Sequence, residues 1–181
     1  MGGARPAQRL AEPRFPPLRS VSRRRVERRV LRNAQAKVSV HIRPMVAKDT
    51  ACVAALATQL GYPSTPDEIQ RRFERIAGND LHAVFVAESK ADQAVGWVHV
   101  FVCQLMESNT YAEIGGLIVD ERCRGSGIGQ LLLEQAETWA RAKACASIRL
   151  RSNIIRRDAQ EFYLKRGYSI TKTQHAFAKS L

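Results

Sequence analysis

The stretch that most restricts how this chain can fold is VDERCRGSGIGQLLLEQAE, residues 119–137. An apolar run, YAEIGGLIVD, leads into it, and Gly125, Gly127 and Gly129 alternate with other residues. Ile128, Leu131, Leu132, Ala136, Trp139 and Ala140 then recur at helical spacing as far as about Lys143. This order, buried strand to glycine loop to amphipathic helix, calls for a sheet with a helix packed on it. Glycine lets the backbone adopt left-handed angles and approach a ligand closely. Successive N–H groups at a helix start form an anion cradle, aided by the helix dipole. Two familiar phosphate loops are excluded. A Walker loop needs Lys-Ser/Thr after its last glycine, and Gln130 follows Gly129. The dinucleotide fingerprint G-x-G-x-x-G fails because Gln130 occupies its third glycine position. What remains is R-x-x-G-x-G at Arg124, Gly127 and Gly129, with Arg122 and Arg124 adding charge at the rim. A pyrophosphate suits such a cradle; a plain strand-to-helix turn with packing glycines is the alternative.

The rest of the chain supplies the sheet. Val38, Val40 and Ile42 alternate as in a half-buried strand. Asp49 can cap a helix to about Gln59, stopped by Gly61. Thr65, Pro66 and Glu68 form a capping box for a second helix, with Ile69, Phe73 and Ile76 on one face and Gly78 near its end. HAVFVAES and AVGWVHVFVCQL are β-rich runs separated by the polar turn KADQ. SIRLRS reads as a strand and RRDAQEFYLKRGY as a helix closed by Gly167. YSITKTQ and HAFAKSL read as two final strands. The order β-α-α-β-β-β-loop-α-β-α-β-β gives an α/β (α+β) domain with one mixed central sheet and helices on its faces.

The net charge of +12 suggests a polyanion partner until it is mapped. Residues 1–40 hold eleven Lys/Arg against two Asp/Glu, a net +9; residues 41–181 are nearly balanced at +3. Residues 1–37, with four of the seven prolines and the block SRRRVERRVLR, read as a basic, disordered extension before a domain at 38–181. A nucleic-acid arm, an organellar presequence, a tether to an anionic surface and a merely solvated tail all fit that extension. No apolar run is long enough to span a bilayer, and no secretory leader is expected. Cys52, Cys103, Cys123 and Cys145 form no C-x-x-C pair, and His41, His82, His99 and His175 lack ligand spacing. No metal site is expected, each histidine reads as a surface or packed one, and the free thiols suit the cytoplasm.

The loop, followed by IRLRSN and AQEFYLKRGY, resembles the GNAT superfamily of N-acetyltransferases over roughly residues 38–181, most strongly from Glu113 to Tyr168. Within it, RSNIIRRDAQEFYLKRGY is most similar to small-molecule amine acetyltransferases such as the aminoalkylphosphonate enzymes, departing at Gln160 where those often carry histidine. The resemblance implies a GNAT fold, with a splayed strand pair holding acetyl-CoA as co-substrate and direct attack of a primary amine on the thioester. It places the CoA pyrophosphate on the backbone of Arg124, Gly125, Ser126, Gly127, Ile128, Gly129 and Gln130. Leu117, Ile118 and Val119 then pair with the pantetheine arm, and an N–H there stabilises the oxyanion. A bulge splays that strand in the family, and Gly115–Gly116 are compatible with one. A homodimer is common in the superfamily, and the folded domain is expected to need neither nucleic acid nor membrane.

Chemistry asks for a base and an acid. An amine of pKa about 10.4 is only on the order of 0.1% neutral near pH 7, so a base helps. Glu113, on an otherwise apolar run where the family often has an acid acting through water, is the candidate; a solvent-facing glutamate is the alternative. Tyr163 occupies the family's general-acid position and can protonate the leaving thiolate; a tyrosine packed under the sheet is the alternative. Asn153 matches the position that contacts the pantetheine amides, and Arg156 and Arg157 can meet CoA phosphates or an acidic substrate. Cys123 has no base placed near it and is not needed as a nucleophile. A CoA-responsive module without turnover, or nucleic-acid binding through the tail, are the competing functions.

Overall fold

The computed structural model describes residues 39–180. The basic extension and its boundary at residue 37 lie outside them, as does Val38. Five strands form one open sheet in chain order: β1 (Val40–Pro44), β2 (His82–Ser89), β3 (Ala94–Leu105), β4 (Ser108–Val119) and β5 (Ile148–Leu150). The first four pair antiparallel, and β4 with β5 is parallel. The sheet is therefore mixed, and its parallel step needs the crossover that the glycine loop and its helix provide.

Four helices flank it: α1 (Thr50–Leu60), α2 (Pro66–Ile76), α3 (Ile128–Ala142) and α4 (Arg157–Leu164). Strand alternation sends them to both faces. Phe85, Ala87, Val98, Val100, Ala112 and Ile114 pack against Ile128, Leu132, Leu133 and Ala136 of α3, with Phe162 and Tyr163 of α4 against the same cluster. Ile128, Leu132 and Leu133 are almost completely buried, and each such burial contributes about 1.5–3 kcal/mol. On the other face Val86 and Trp97 meet Val53 of α1 and Ile69 and Phe73 of α2.

The helix ends follow the capping chemistry. Thr65 accepts from the Glu68 N–H at 3.2 Å while Glu68 accepts from the Thr65 N–H at 2.8 Å. Gly61 closes α1 at φ +100°, and Gly167 follows α4 at φ +85°. Asp49 departs from expectation. It stands at the N-cap of α1 without capping it, because its carboxylate takes the Val46 N–H and both terminal nitrogens of Arg43, at 2.7 and 2.8 Å. Arg43 also reaches Glu88 at 2.6 Å, tying β1, the turn and β2 together.

The two final strands are not formed. Residues 168–180 carry no regular structure, with Ile170 and Phe177 at 69% and 94% exposure. Their alternation matches a strand period, but a strand needs a partner edge, and the edge strand β5 is only three residues long and pairs with β4 alone.

Candidate active site

The site begins where β4 loses its neighbour. β5 pairs with Ala112, Glu113 and Ile114 only, so Gly115–Val119 keep a free backbone edge on that side while β3 holds the other. This is the expected splay. On the β3 side, His99 faces Gly116 while Val100 faces Ile114, so Gly115 is an extra residue in the ladder. This bulge resets the alternation: Ala112 and Ile114 point to α3 before it, Leu117 and Val119 after it. Side chains crowd both glycines, Gly116 most closely. A Cβ on Gly116 would lie 2.7 Å from the Trp97 ring, and one on Gly115 would lie 3.1 Å from Phe101 and 3.3 Å from His99 Nδ1.

Beyond Val119 the chain turns through Asp120–Arg124 into the loop. Gly125 and Gly127 adopt φ +78° and +90°, which few other residues tolerate. Gly129 serves differently: a Cβ there would press on Phe162 of α4 at 3.3 Å. The N–H groups of Gly125, Ser126, Gly127, Ile128 and Gly129 have no hydrogen-bond acceptor among the described residues; the first turn's bonds begin at Gln130 and Leu131, both onto the Gly127 carbonyl. A run of free donors at the start of a 15-residue helix is an anion cradle.

The two rim arginines differ. Arg122 is clamped on Asp120 through Nε at 3.0 Å and Nη2 at 2.8 Å, which holds the Asp120 carboxyl down at about 2 and neutralises the charge expected at the rim. Arg124 uses only Nε, 3.3 Å from the Val119 carbonyl, leaving its terminal nitrogens free among the described residues. Arg156 donates to the Leu60 carbonyl at the end of α1, and Arg157 opens α4. Asn153 accepts from the Ile155 N–H through Oδ1 at 3.1 Å; its backbone carbonyl takes Gln160 Nε2, also at 3.1 Å. Gln160 thus orders this turn.

Tyr163 packs edge-on between Phe162 and Tyr168. Burial raises its pKa, so the phenol keeps its proton, and its hydroxyl has no partner among the described residues. Glu113 is buried, with both carboxylate oxygens 3.3 Å from Arg151 Nη2.

On the α1/α2 face lies a cavity of about 470 Å³. Its apolar wall includes Val53, Ile69, Phe73 and Trp97, and Gly115 and His99 bring it to the bulge. Its charged lining is Arg72 and Arg75, with no carboxylate, and Glu113 is not among its lining residues. Arg72 is oriented by Ser64 Oγ at 2.7 Å, and neither arginine forms a salt bridge among the described residues. His99 Nε2 lies 3.2 Å from His82 Nδ1. Burial first, and then the His82 neighbour, lower the His99 pKa to about 4.

His82, His99, Arg72 and Arg75 were not singled out from sequence. The signal was present: Trp97, His99 and Phe101 share one strand face, and Arg72 and Arg75 flank the Ile69–Phe73–Ile76 stripe. Among the described residues no cluster of three or more metal-binding side chains occurs, and no helix is long and apolar enough to cross a membrane.

A family model described as the acetyltransferase (GNAT) family matches residues 51–168, well over half of the chain. The chain belongs to the GNAT family. This GNAT protein is accordingly an acyltransferase. It is 25% identical over 134 residues to the aminoglycoside N(6')-acetyltransferase type 1 of Serratia marcescens, covering 70% of this chain and 90% of that protein. It is 40% identical over 77 residues to the aminoalkylphosphonate N-acetyltransferase of Salmonella typhimurium, covering 42% of this chain and 49% of that protein. Its fold matches the structure of AAC(6')-Iy in complex with the bisubstrate analog CoA-S-monomethyl-acetylneamine, with a TM-score of 0.70 at 19% identity, over 79% of this chain and 99% of that one.

Proposed function

We propose that this GNAT protein moves the acetyl group of acetyl-CoA to the primary amine of a small acceptor that also carries an anionic group. The observation that carries the reading is the run of unpartnered N–H groups from Gly125 to Gly129 at the start of α3, beside the free edge of β4. A pyrophosphate fits the first, with the free terminal nitrogens of Arg124 beside it, while the Gln130 N–H expected in the cradle is already taken by the Gly127 carbonyl; the pantetheine amides fit the second, at Leu117, Ile118 and Val119 and toward Asn153. The CoA-based analog bound to a fold relative supports that donor.

The amine attacks the thioester carbonyl directly, and an N–H of the β4 edge takes the developing oxyanion charge. Tyr163, held neutral by burial, gives its proton to the departing thiolate. Glu113, whose carboxylate Arg151 holds outside the cavity wall, reaches the amine only through water.

The anionic group follows from the lining. A polycationic acceptor needs carboxylates, and this cavity presents two guanidiniums and an apolar wall. Arginine favours phosphonate, phosphate and carboxylate through paired donors, in line with the relative named for aminoalkylphosphonates. The test is thiol release from acetyl-CoA with aminoalkylphosphonates of two to six carbons, alkylamines of matching length and a polycationic aminoglycoside. Release with the phosphonates at lower KM than with the alkylamines is expected. Equal KM values remove the anion preference, and no release with any amine leaves a CoA-binding module without turnover.

A further inference from the structure

We infer that His99 and His82 form a proton relay that carries the proton released by the attacking amine from the cavity to the start of β2. The inference rests on the acetyl-transfer reading above and assigns its missing proton acceptor.

His99 is a titratable group in the cavity wall at the bulge. Its two ring nitrogens face different partners. Nε2 meets His82 Nδ1 at 3.2 Å, so one of them donates to the other. Nδ1 faces Gly115, whose missing side chain leaves that edge open; a Cβ there would come within 3.3 Å. Phe101 lies against both imidazoles, with centroids 5.4 Å from each, and the two imidazoles stack on one another at the same separation. This packing fixes both rings. His82 is half-buried at the first position of β2, next to exposed Leu81.

The steps balance. As the C–N bond forms between the amine and the thioester carbonyl carbon, one N–H proton passes to His99 Nδ1. The proton on His99 Nε2 passes to His82 Nδ1. His82, now carrying both ring protons, gives its Nε2 proton to water. The C–S bond breaks, the sulfur takes the Tyr163 proton, and the phenolate recovers one from water. His99 ends neutral in its other tautomer and resets through water after product leaves.

A relay fits this environment better than a simple base. Burial and the neighbouring His82 disfavour a standing imidazolium at His99. The charged groups around it sharpen that: Arg72 and Arg75 line the same cavity from α2, while the Glu113 carboxylate across on β4 is already paired with Arg151. Passing one proton in and another out leaves His99 uncharged throughout.

The experiment compares wild type, His82→Phe, His99→Asn and Glu113→Gln with the best aminoalkylphosphonate of the panel above. His82→Phe keeps a ring on Phe101 and removes the acceptor; its kcat is expected to fall by about tenfold or more, with the Kd of acetyl-CoA unchanged by calorimetry. In mixtures of light and heavy water, the dependence of rate on deuterium fraction is expected to be curved for wild type, because two protons move together. It becomes linear in His82→Phe. His99→Asn is expected to lose as much, and the double variant no more than either. Retention of kcat within about twofold in both histidine variants, with Glu113→Gln inactive, overturns the relay and leaves the acetyl-transfer reading intact. A wild type that releases no thiol with any amine overturns both.

Discussion

The two sides of the β4 bulge solve opposite recognition problems. On the α3 side the proposed donor half is built from backbone: free N–H groups at the loop, a free strand edge, and glycines set at φ +78° and +90°. On the α1/α2 side the proposed acceptor half is built from side chains, two arginines and His99 on an apolar wall, with His82 behind His99. A backbone site fixes one ligand and tolerates change in the residues that decorate it. A side-chain site can be retuned residue by residue while the donor half stays as it is. The difference teaches that the two halves can be altered independently.

The comparison can be broken by any change in one half that moves the other half's constant. The largest expected effect is at the shared centre. Tyr163→Phe lowers kcat by about a hundredfold and leaves the Kd of acetyl-CoA and the acceptor KM unchanged; a shifted Kd shows that the phenol binds as well as donates. Next, Gly127→Asp places a carboxylate in the cradle. No atom lies within 4 Å of a Cβ there, so the cost to folding is only backbone strain of about 1–2 kcal/mol. Calorimetry is expected to show acetyl-CoA affinity down by more than about tenfold, with acceptor binding retained.

Arg72→Gln with Arg75→Gln tests the other half. KM for an aminoalkylphosphonate rises about tenfold, the value of a charge-assisted contact, and KM for a matched alkylamine stays put. An equal rise for both places the arginines in shape rather than charge. The smallest effect lies away from both ligands, in the Arg43–Asp49–Glu88 cluster. Arg43 holds the Glu88 carboxyl down at about 2 and the Asp49 carboxyl below its usual value. Folded-state pKa values below the unfolded ones contribute stability that is present above about pH 4.5. It is lost as pH falls through the folded values. Urea midpoints measured from pH 6 to pH 2 are therefore expected to decline in wild type and to decline less steeply in Arg43→Met, with acetyl-CoA affinity at pH 7 unaltered.

The same contrast explains what could be read from sequence. The elements from β1 to α4 follow from alternation, helical spacing and the Thr65–Glu68 box, because those patterns are local. The loop was legible for the same reason: glycine spacing after an apolar strand is a backbone signal. Tyr163 is legible through its FYLKRGY motif. Side-chain partnerships were not legible. Nothing in ERCRG says that Arg122 folds back on Asp120 while Arg124 stays available. Asp49 precedes α1 as a cap should, yet Arg43 on β1 outcompetes the helix for it. His82 and His99 stand 17 positions apart and meet only because β2 and β3 pair in one register. The two final strands failed for the converse reason: a period is local, and the edge that must receive it is not.

Gly129 has a mechanical consequence. Its bare Cα lets Phe162 sit against the first turn of α3, and Arg166 stacks on that ring with its guanidinium carbon 3.8 Å from the centroid while donating to the Phe162 carbonyl. Phe162 and Tyr163 are neighbours on one short helix. The loop proposed to hold the donor's charged end and the phenol proposed to reprotonate its sulfur are thus coupled by direct side-chain packing, with one ring between them.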